Sequence, residues 1–175
     1  SGRLEVPVLE WCLNEIVRRH ESLRTTFAEV EGQPVQIIAP ALKISIPTFG
    51  LSGLSEDVRE AEVTRLSTEE AQRPFELERG PLLRAVLLRL GGREHVLLLT
   101  MHHIVSDGWS QGVLVRELGA LYAAGVSGRE SPLEGLEIQY ADYAEWQRGW
   151  LRGEAPEAQL AYWRKQVAGA PPPLE

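Results

Sequence analysis

An α/β fold is the class this sequence predicts, on three observations. Apolar residues recur at helical spacing in several stretches, two apolar runs at 82–90 and 94–101 flank Gly91-Gly92-Arg93, and the composition is that of a globular chain. The chain has 175 residues, 43% of them apolar and 25% charged, enough to build a core and unlike disordered or fibrous sequences. Lys and Arg number 18 against 25 Asp and Glu, a formal charge of −7. No basic excess is therefore available to displace phosphate counterions, so nucleic acid is not an expected partner. Cys12 is the one cysteine, which excludes an intrachain disulfide and a cysteine zinc cluster and fits a reducing cytoplasm. No apolar run approaches the roughly 20 residues of a membrane span, and the first residues lack signal-peptide features, so no membrane partner is expected.

The elements follow in order. Residues 4–20 carry Leu9, Cys12, Leu13, Ile16 and Val17 on one stripe, with Pro7 tolerable in the first turn, and predict a helix. Residues 25–30 and 35–39 are partly β-branched runs about Glu31-Gly32-Gln33-Pro34, and predict two strands joined by a tight turn. Residues 43–47 suggest a further strand. Residues 55–72 are polar, with Val58, Ala61 and Leu66 at helical spacing and Ser55 as cap, which describes a mostly exposed helix. The runs at 82–90 and 94–101 predict a core hairpin. Val113, Leu114, Leu118, Leu121 and Tyr122 mark a helix ending near Gly125, followed by a loop over 125–135. Residues 139–151 and 156–168 predict two more helices, and Gly169-Ala170-Pro171-Pro172-Pro173 has the composition of a stiff linker.

The chemistry-bearing stretch is His102-His103-Ile104-Val105-Ser106-Asp107-Gly108, between the second hairpin strand and a helix start. Alternation along a strand sends the two histidines to opposite faces, so one is expected to face a cleft and the other to pack inward. Parity does not say which. A histidine suits proton removal from a nucleophile at neutral pH, and Gly108 at a helix start lets backbone N–H groups approach a developing oxyanion, which together suggest acyl transfer. Diverging histidines without a third ligand argue against a metal site, and no Gly-x-Ser-x-Gly elbow supports a serine hydrolase. Tyr140, Tyr143, Trp146 and Trp150 read as packing anchors, Cys12 as a small hydrophobe, and His20 and His95 as structural or exposed.

Extended to Trp109-Ser110, the histidine stretch resembles the active-site signature of the condensation domains of nonribosomal peptide synthetases. Arg19-His20-Glu21-Ser22-Leu23-Arg24-Thr25-Thr26-Phe27 resembles the family's upstream motif, and Gln139-Tyr140-Ala141-Asp142-Tyr143-Ala144-Glu145-Trp146-Gln147 its downstream one. The resemblance implies a chloramphenicol-acetyltransferase-like lobe, a mixed sheet covered by helices. It implies amide-bond formation between a donor thioester and an aminoacyl acceptor, each carried on the phosphopantetheine of a peptidyl carrier protein, with no cofactor bound directly. An adjacent adenylation domain is the further partner implied.

By the same resemblance His103 is the catalytic residue, acting as base or by orienting the amine, and His102 points inward to support the loop. Asp107 is structural and pairs with an arginine, Arg19 first and Arg24 second, since a guanidinium holds a carboxylate bidentately. Gly108 N–H lies near the reacting carbonyl, and Trp109 and Ser110 are expected to line a substrate tunnel. Gln111-Gly112 after Ser110, in place of Trp-Arg, resembles the subtype that joins two L-aminoacyl units. The family's first motif, a Ser-x-Ala-Gln-x-Arg segment, is missing. The chain therefore reads as residues 1–168 of a partial amino-terminal lobe plus a linker start at 169–175, lacking the carboxy-terminal lobe and inactive on its own. Two other readings are an acyltransferase that uses acyl-coenzyme A and an inert half-domain that docks carrier proteins.

Overall fold

A computed structural model describes residues 3–152 and 154–169. The chain divides into two compact units, Ser1–Glu137 and Ile138–Glu175. Beyond Gly169, the expected linker lies outside the described residues. Among the described residues no helix is long and apolar enough to cross a membrane.

In the first unit α1 spans Val6–Arg19, with Pro7 in the first turn where a missing N–H costs nothing. Its stripe of Leu9, Cys12, Leu13, Ile16 and Val17 is buried, and burial pushes the Cys12 thiol up to about 11. A short 3₁₀ turn, Glu21–Arg24, leads into β1 (Thr25–Val30), which pairs antiparallel with β2 (Gln33–Ile38). Glu31 and Gly32 have φ of 52° and 74°, the positive pair that a two-residue hairpin turn requires. Gln33 and Pro34, expected in the turn, belong instead to β2. Pro34 stands opposite Glu29, one step from the closing hydrogen-bonded pair, so its lack of an N–H breaks no ladder bond.

Residues 43–47 do not form the expected strand, although Ile44 and Ile46 are buried in alternation. A side chain takes the place of a neighbouring strand there. Asn14 accepts from Ile44 N and donates to Ile44 O, both at 2.8 Å. The chain then enters β3 (Thr48–Gly50), parallel to β4 (Leu83–Arg89), which pairs antiparallel with β5 (His95–Met101). The sheet order β3-β4-β5 makes β4 central and β5 an edge. Leu83, Ala85 and Leu87 of β4 are accordingly buried, whereas β5, expected in the core, is half-buried along its length.

Two further helices belong to this unit, α2 between β3 and β4 and α3 after β5. α2 (Glu56–Gln72) is mostly exposed, and its N-cap Ser55 makes no side-chain capping bond. α3 (Gly108–Val126) packs on α1 through Leu114 and Leu121. Gly125 permits the close approach: a Cβ there would lie 2.7 Å from Val8 Cγ1. Burying each large side chain of this α1/β4/α3 core stabilises it by about 1.5–3 kcal/mol.

The second unit holds α4 (Tyr140–Leu151) and α5 (Glu154–Val167). The aromatic residues of α4 do not pack inward as expected. Spaced by three or four residues, they form one stripe with ring centroids 6.0, 5.7 and 6.4 Å apart from Tyr140 through Tyr143 and Trp146 to Trp150, and all four are exposed.

Candidate functional site

β5 ends at Met101, one residue short of the histidines. His102 N still donates to Leu82 O at 3.0 Å, continuing the hairpin, and the chain then turns as Val105 N donates to His102 O at 3.1 Å. His102 follows the parity of Thr100 and Leu98, on the sheet face opposite Leu97, Leu99 and Met101, which pack on the core. There its half-buried ring meets Phe75 edge to face, and its Nδ1 accepts from Ile104 N at 3.0 Å. An N–H can only donate, so Nδ1 presents a lone pair and the ring proton is on Nε2.

His103 lies in the turn, where strand parity no longer governs direction, and is exposed. Its Nδ1 is 3.2 Å from the carbonyl oxygen of Ser106. A carbonyl can only accept, so Nδ1 carries a proton, and in the neutral ring Nε2 holds the lone pair. Ser106 is buried, and its hydroxyl donates to His102 O at 3.2 Å. The two histidines thus have opposite tautomers, each set by the backbone of one short turn.

Asp107 is the N-cap of α3. Its carboxylate accepts from Ser110 N at 2.8 Å and from the Ser110 hydroxyl, while Asp107 N donates to Ser110 Oγ at 2.7 Å. The hydrogen bond from the Ser110 side chain, then that from its backbone, holds the Asp107 carboxyl below its ordinary value. The arginine pairing expected for Asp107 is not what forms. Arg19 approaches Glu117 instead, with Nε 3.5 Å from Oε2, and Nη1 donates to the carbonyls of Leu133 and Glu134 at 3.3 and 2.5 Å. Ten residues along α3 separate Asp107 from Glu117, about 15 Å at 1.5 Å per residue, beyond a guanidinium already placed at Glu117. Arg24, the second choice, bonds Ala39 O and Glu21.

Glu117 is the member of this region that sequence reasoning missed. It is 8% exposed and accepts from His20 Nε2 at 2.8 Å as well as facing Arg19. Burial raises its pKa, but hydrogen bonds and charge from His20 and Arg19 outweigh burial and hold the carboxyl below its ordinary value. Its signal was present in the sequence: it shares the stripe of Leu114, Leu118 and Leu121, where an unpaired carboxylate is not tolerated.

Beside this cluster lies an apolar pocket of about 170 Å³, lined by Leu23, Met101, Val105, Val113 and Leu114 among others, with His20 in its wall. Trp109, 85% exposed, and Ser110 also line it, whereas His103 does not. Over Gly108, the first residue of α3, a Cβ would meet nothing within 4 Å. Among the described residues nothing therefore demands glycine at that position. Among the described residues no group of three or more His, Cys, Asp or Glu side chains is placed to hold a metal ion.

Comparison with known proteins bears on the family and the fold. The chain is 50% identical over 173 residues to one of the linear gramicidin synthase subunits of Brevibacillus parabrevis, covering 99% of itself and 2% of that protein. It superposes on the X-domain from teicoplanin biosynthesis with a TM-score of 0.86 at 35% identity, covering 97% of itself and 37% of that chain. On the EpoB cyclization-docking bidomain from Sorangium cellulosum the TM-score is 0.84 at 28% identity, covering 98% and 33%. The chain thus spans about a third of the solved structures and a few per cent of the synthase, and it has the chloramphenicol-acetyltransferase-like fold. The family model described as Condensation domain matches residues 1–175 throughout, and the chain belongs to that family.

Proposed function

We propose that this chain carries the histidine of a site that forms an amide bond in nonribosomal peptide synthesis, joining an acyl or peptidyl thioester to the amine of an aminoacyl acceptor. One observation carries the reading. In a chain of the condensation family, His103 is exposed at a strand-to-helix turn with Nδ1 held by Ser106 O at 3.2 Å, which leaves Nε2 able to take a proton.

Nε2 of His103 accepts a proton as the acceptor nitrogen attacks the thioester carbonyl. The C–N bond forms, the C–S bond breaks, and the proton passes to the departing thiolate. Gly108 N–H, at the positive end of α3, is left to the developing oxyanion, and the open space above it leaves room for the substrate. His102 and Asp107 hold the turn and the helix start instead of touching substrate. Arg19, through Glu117, fixes α1 to α3 beneath the pocket, and Trp109 and Ser110 line the substrate's path.

In this proposal the substrates arrive on the phosphopantetheine arms of an upstream donor and a downstream acceptor peptidyl carrier protein. An adenylation domain loads the acceptor, and a carboxy-terminal lobe supplies the opposite wall of the site. The setting is cytoplasmic, where buried Cys12 remains a free thiol. The test is His103→Ala in the synthetase that carries this chain. Because general acid–base catalysis contributes about 10²–10⁴-fold, dipeptide formation falls at least about 100-fold with thermal unfolding unchanged. Dipeptide formed at the wild-type rate overturns the reading, and turnover of an acyl-coenzyme A without carriers assigns a different acyl transfer.

A further inference from the structure

At the end of α2 one side chain from the sheet gathers carbonyls from the last turn and from the residues just past it. Arg84 of β4 donates from Nε to a Glu70 carboxylate oxygen at 2.5 Å, from Nη2 to the carbonyls of Glu70 and Arg73 at 3.1 and 2.9 Å, and from Nη1 to Pro74 O at 3.1 Å. Four bonds fix the plane of the guanidinium and close the helix C-terminus. The chain continues so that the Phe75 ring lies against that plane, with Arg84 Cζ 3.8 Å from the ring centroid. Phe75 meets the His102 ring at 5.8 Å and 86°.

We propose that Phe75, clamped by Arg84, is a positioning residue of this site: it fixes the His102 ring and, through it, the turn that presents His103. The inference rests on the condensation reading above. The His102 side chain is tied at two places, to Phe75 and, through Nδ1, to Ile104 N. Turning the ring away from Phe75 breaks the second tie and frees the Ile104 N–H inside the turn. The His102 carbonyl also receives Val105 N and the Ser106 hydroxyl, and the Ser106 carbonyl faces Nδ1 of His103. A change at the His102 ring is therefore passed in two short steps to the group that sets the His103 tautomer. Phe75 and Arg84 act through His102, not on the reacting atoms.

The test uses Phe75→Leu in the synthetase that carries this chain, which keeps apolar bulk and removes the ring. An aromatic pair of this kind is worth about 2- to 10-fold in an equilibrium, so kcat for dipeptide formation falls by about 2- to 10-fold. KM for the loaded carriers changes less than about twofold, because no substrate contact is removed. Phe75→Tyr restores kcat. In a His102→Asn background, Phe75→Leu adds no further loss, since residues acting through one another are non-additive.

Hydrogen exchange read by mass spectrometry supplies a second readout: in Phe75→Leu the segment holding Ile104 and Val105 exchanges at least about threefold faster, with α1 unchanged. Should Phe75→Leu fail to fold, Arg84→Lys, which keeps the charge but loses the fork, is expected to give the same pattern. Wild-type kcat in Phe75→Leu, or a full additional loss on top of His102→Asn, overturns the proposal. If the wild-type synthetase forms no dipeptide, the condensation reading falls. The exchange of the turn then decides the clamp, and unchanged exchange overturns it.

Discussion

Replacing Glu117 by Gln tests the charge cluster that joins α1 to α3. The substitution preserves volume and removes the charge, leaving Arg19, 8% exposed, beside a neutral amide. Removing one partner of a buried ion pair costs about 3–5 kcal/mol when the other charge is stranded. Here Arg19 keeps the carbonyls of Leu133 and Glu134, and the Gln oxygen still accepts one hydrogen bond, so the expected loss is about 2–3 kcal/mol. At about 2–4 °C per kcal/mol for a domain of this size, the Tm falls by roughly 5–10 °C at pH 7. Thermal unfolding followed by circular dichroism measures it.

The pH dependence supplies the sign. The folded Glu117 carboxyl lies below its ordinary 4.5, so its contribution is present above that value and is lost as pH falls through the lower, folded one. The gap between wild type and Glu117→Gln therefore narrows on acidification below 4.5. A melting point within about 1 °C of wild type at pH 7, less than the shift expected of a single kcal/mol, refutes the reasoning. So does a gap that stays constant with pH.

Asn14→Ala removes both bonds to the backbone of Ile44, and at about 1 kcal/mol each the urea midpoint drops by the equivalent of roughly 2 kcal/mol. Two glycines of α3 respond with opposite sign: Gly125→Ala drives a Cβ into Val8 and costs about 1–3 kcal/mol. Gly119→Ala meets nothing within 4 Å and stabilises by up to about 1 kcal/mol in the same melts. Ser110→Ala takes the hydroxyl from Asp107, so the Asp107 carboxyl titrates closer to its ordinary 3.8, as carbon NMR of that carboxyl would record.

What could be read in advance was local or periodic. The α1 stripe from Leu9 to Val17, the β4/β5 hairpin and the strand-to-helix setting of the histidines all follow from spacing, because each element repeats its contacts every two or every three to four residues. The capping of α3 was legible too, had Asp107 been read with Ser110 as an N-cap and its third residue instead of as a carboxylate awaiting an arginine. The misreading came from assigning a long-range partner to a group whose nearest donors lie three residues away.

Other features escaped because their cause lies elsewhere in the chain. Residues 43–47 have strand alternation, yet their backbone is claimed by Asn14, thirty residues earlier. β5 has the sequence of a core strand, yet it stands at the sheet edge, since strand order is not written in any one strand. The α4 aromatics have anchor composition and helical spacing but remain exposed.

The residues alone established the motif His102 to Ser110, its place between a strand and a helix, and the family those residues indicate, because motif chemistry and periodicity are properties of neighbours. Tertiary structure decided which histidine turns outward, that Arg19 answers to Glu117, and that Phe75 and Arg84 stand behind His102. The physical reason is that a tautomer, a buried charge or a ring contact is fixed by whichever group folding brings within hydrogen-bonding or van der Waals reach. For this site those groups come from α1, the end of α2, β4 and α3, which only the packed fold brings together.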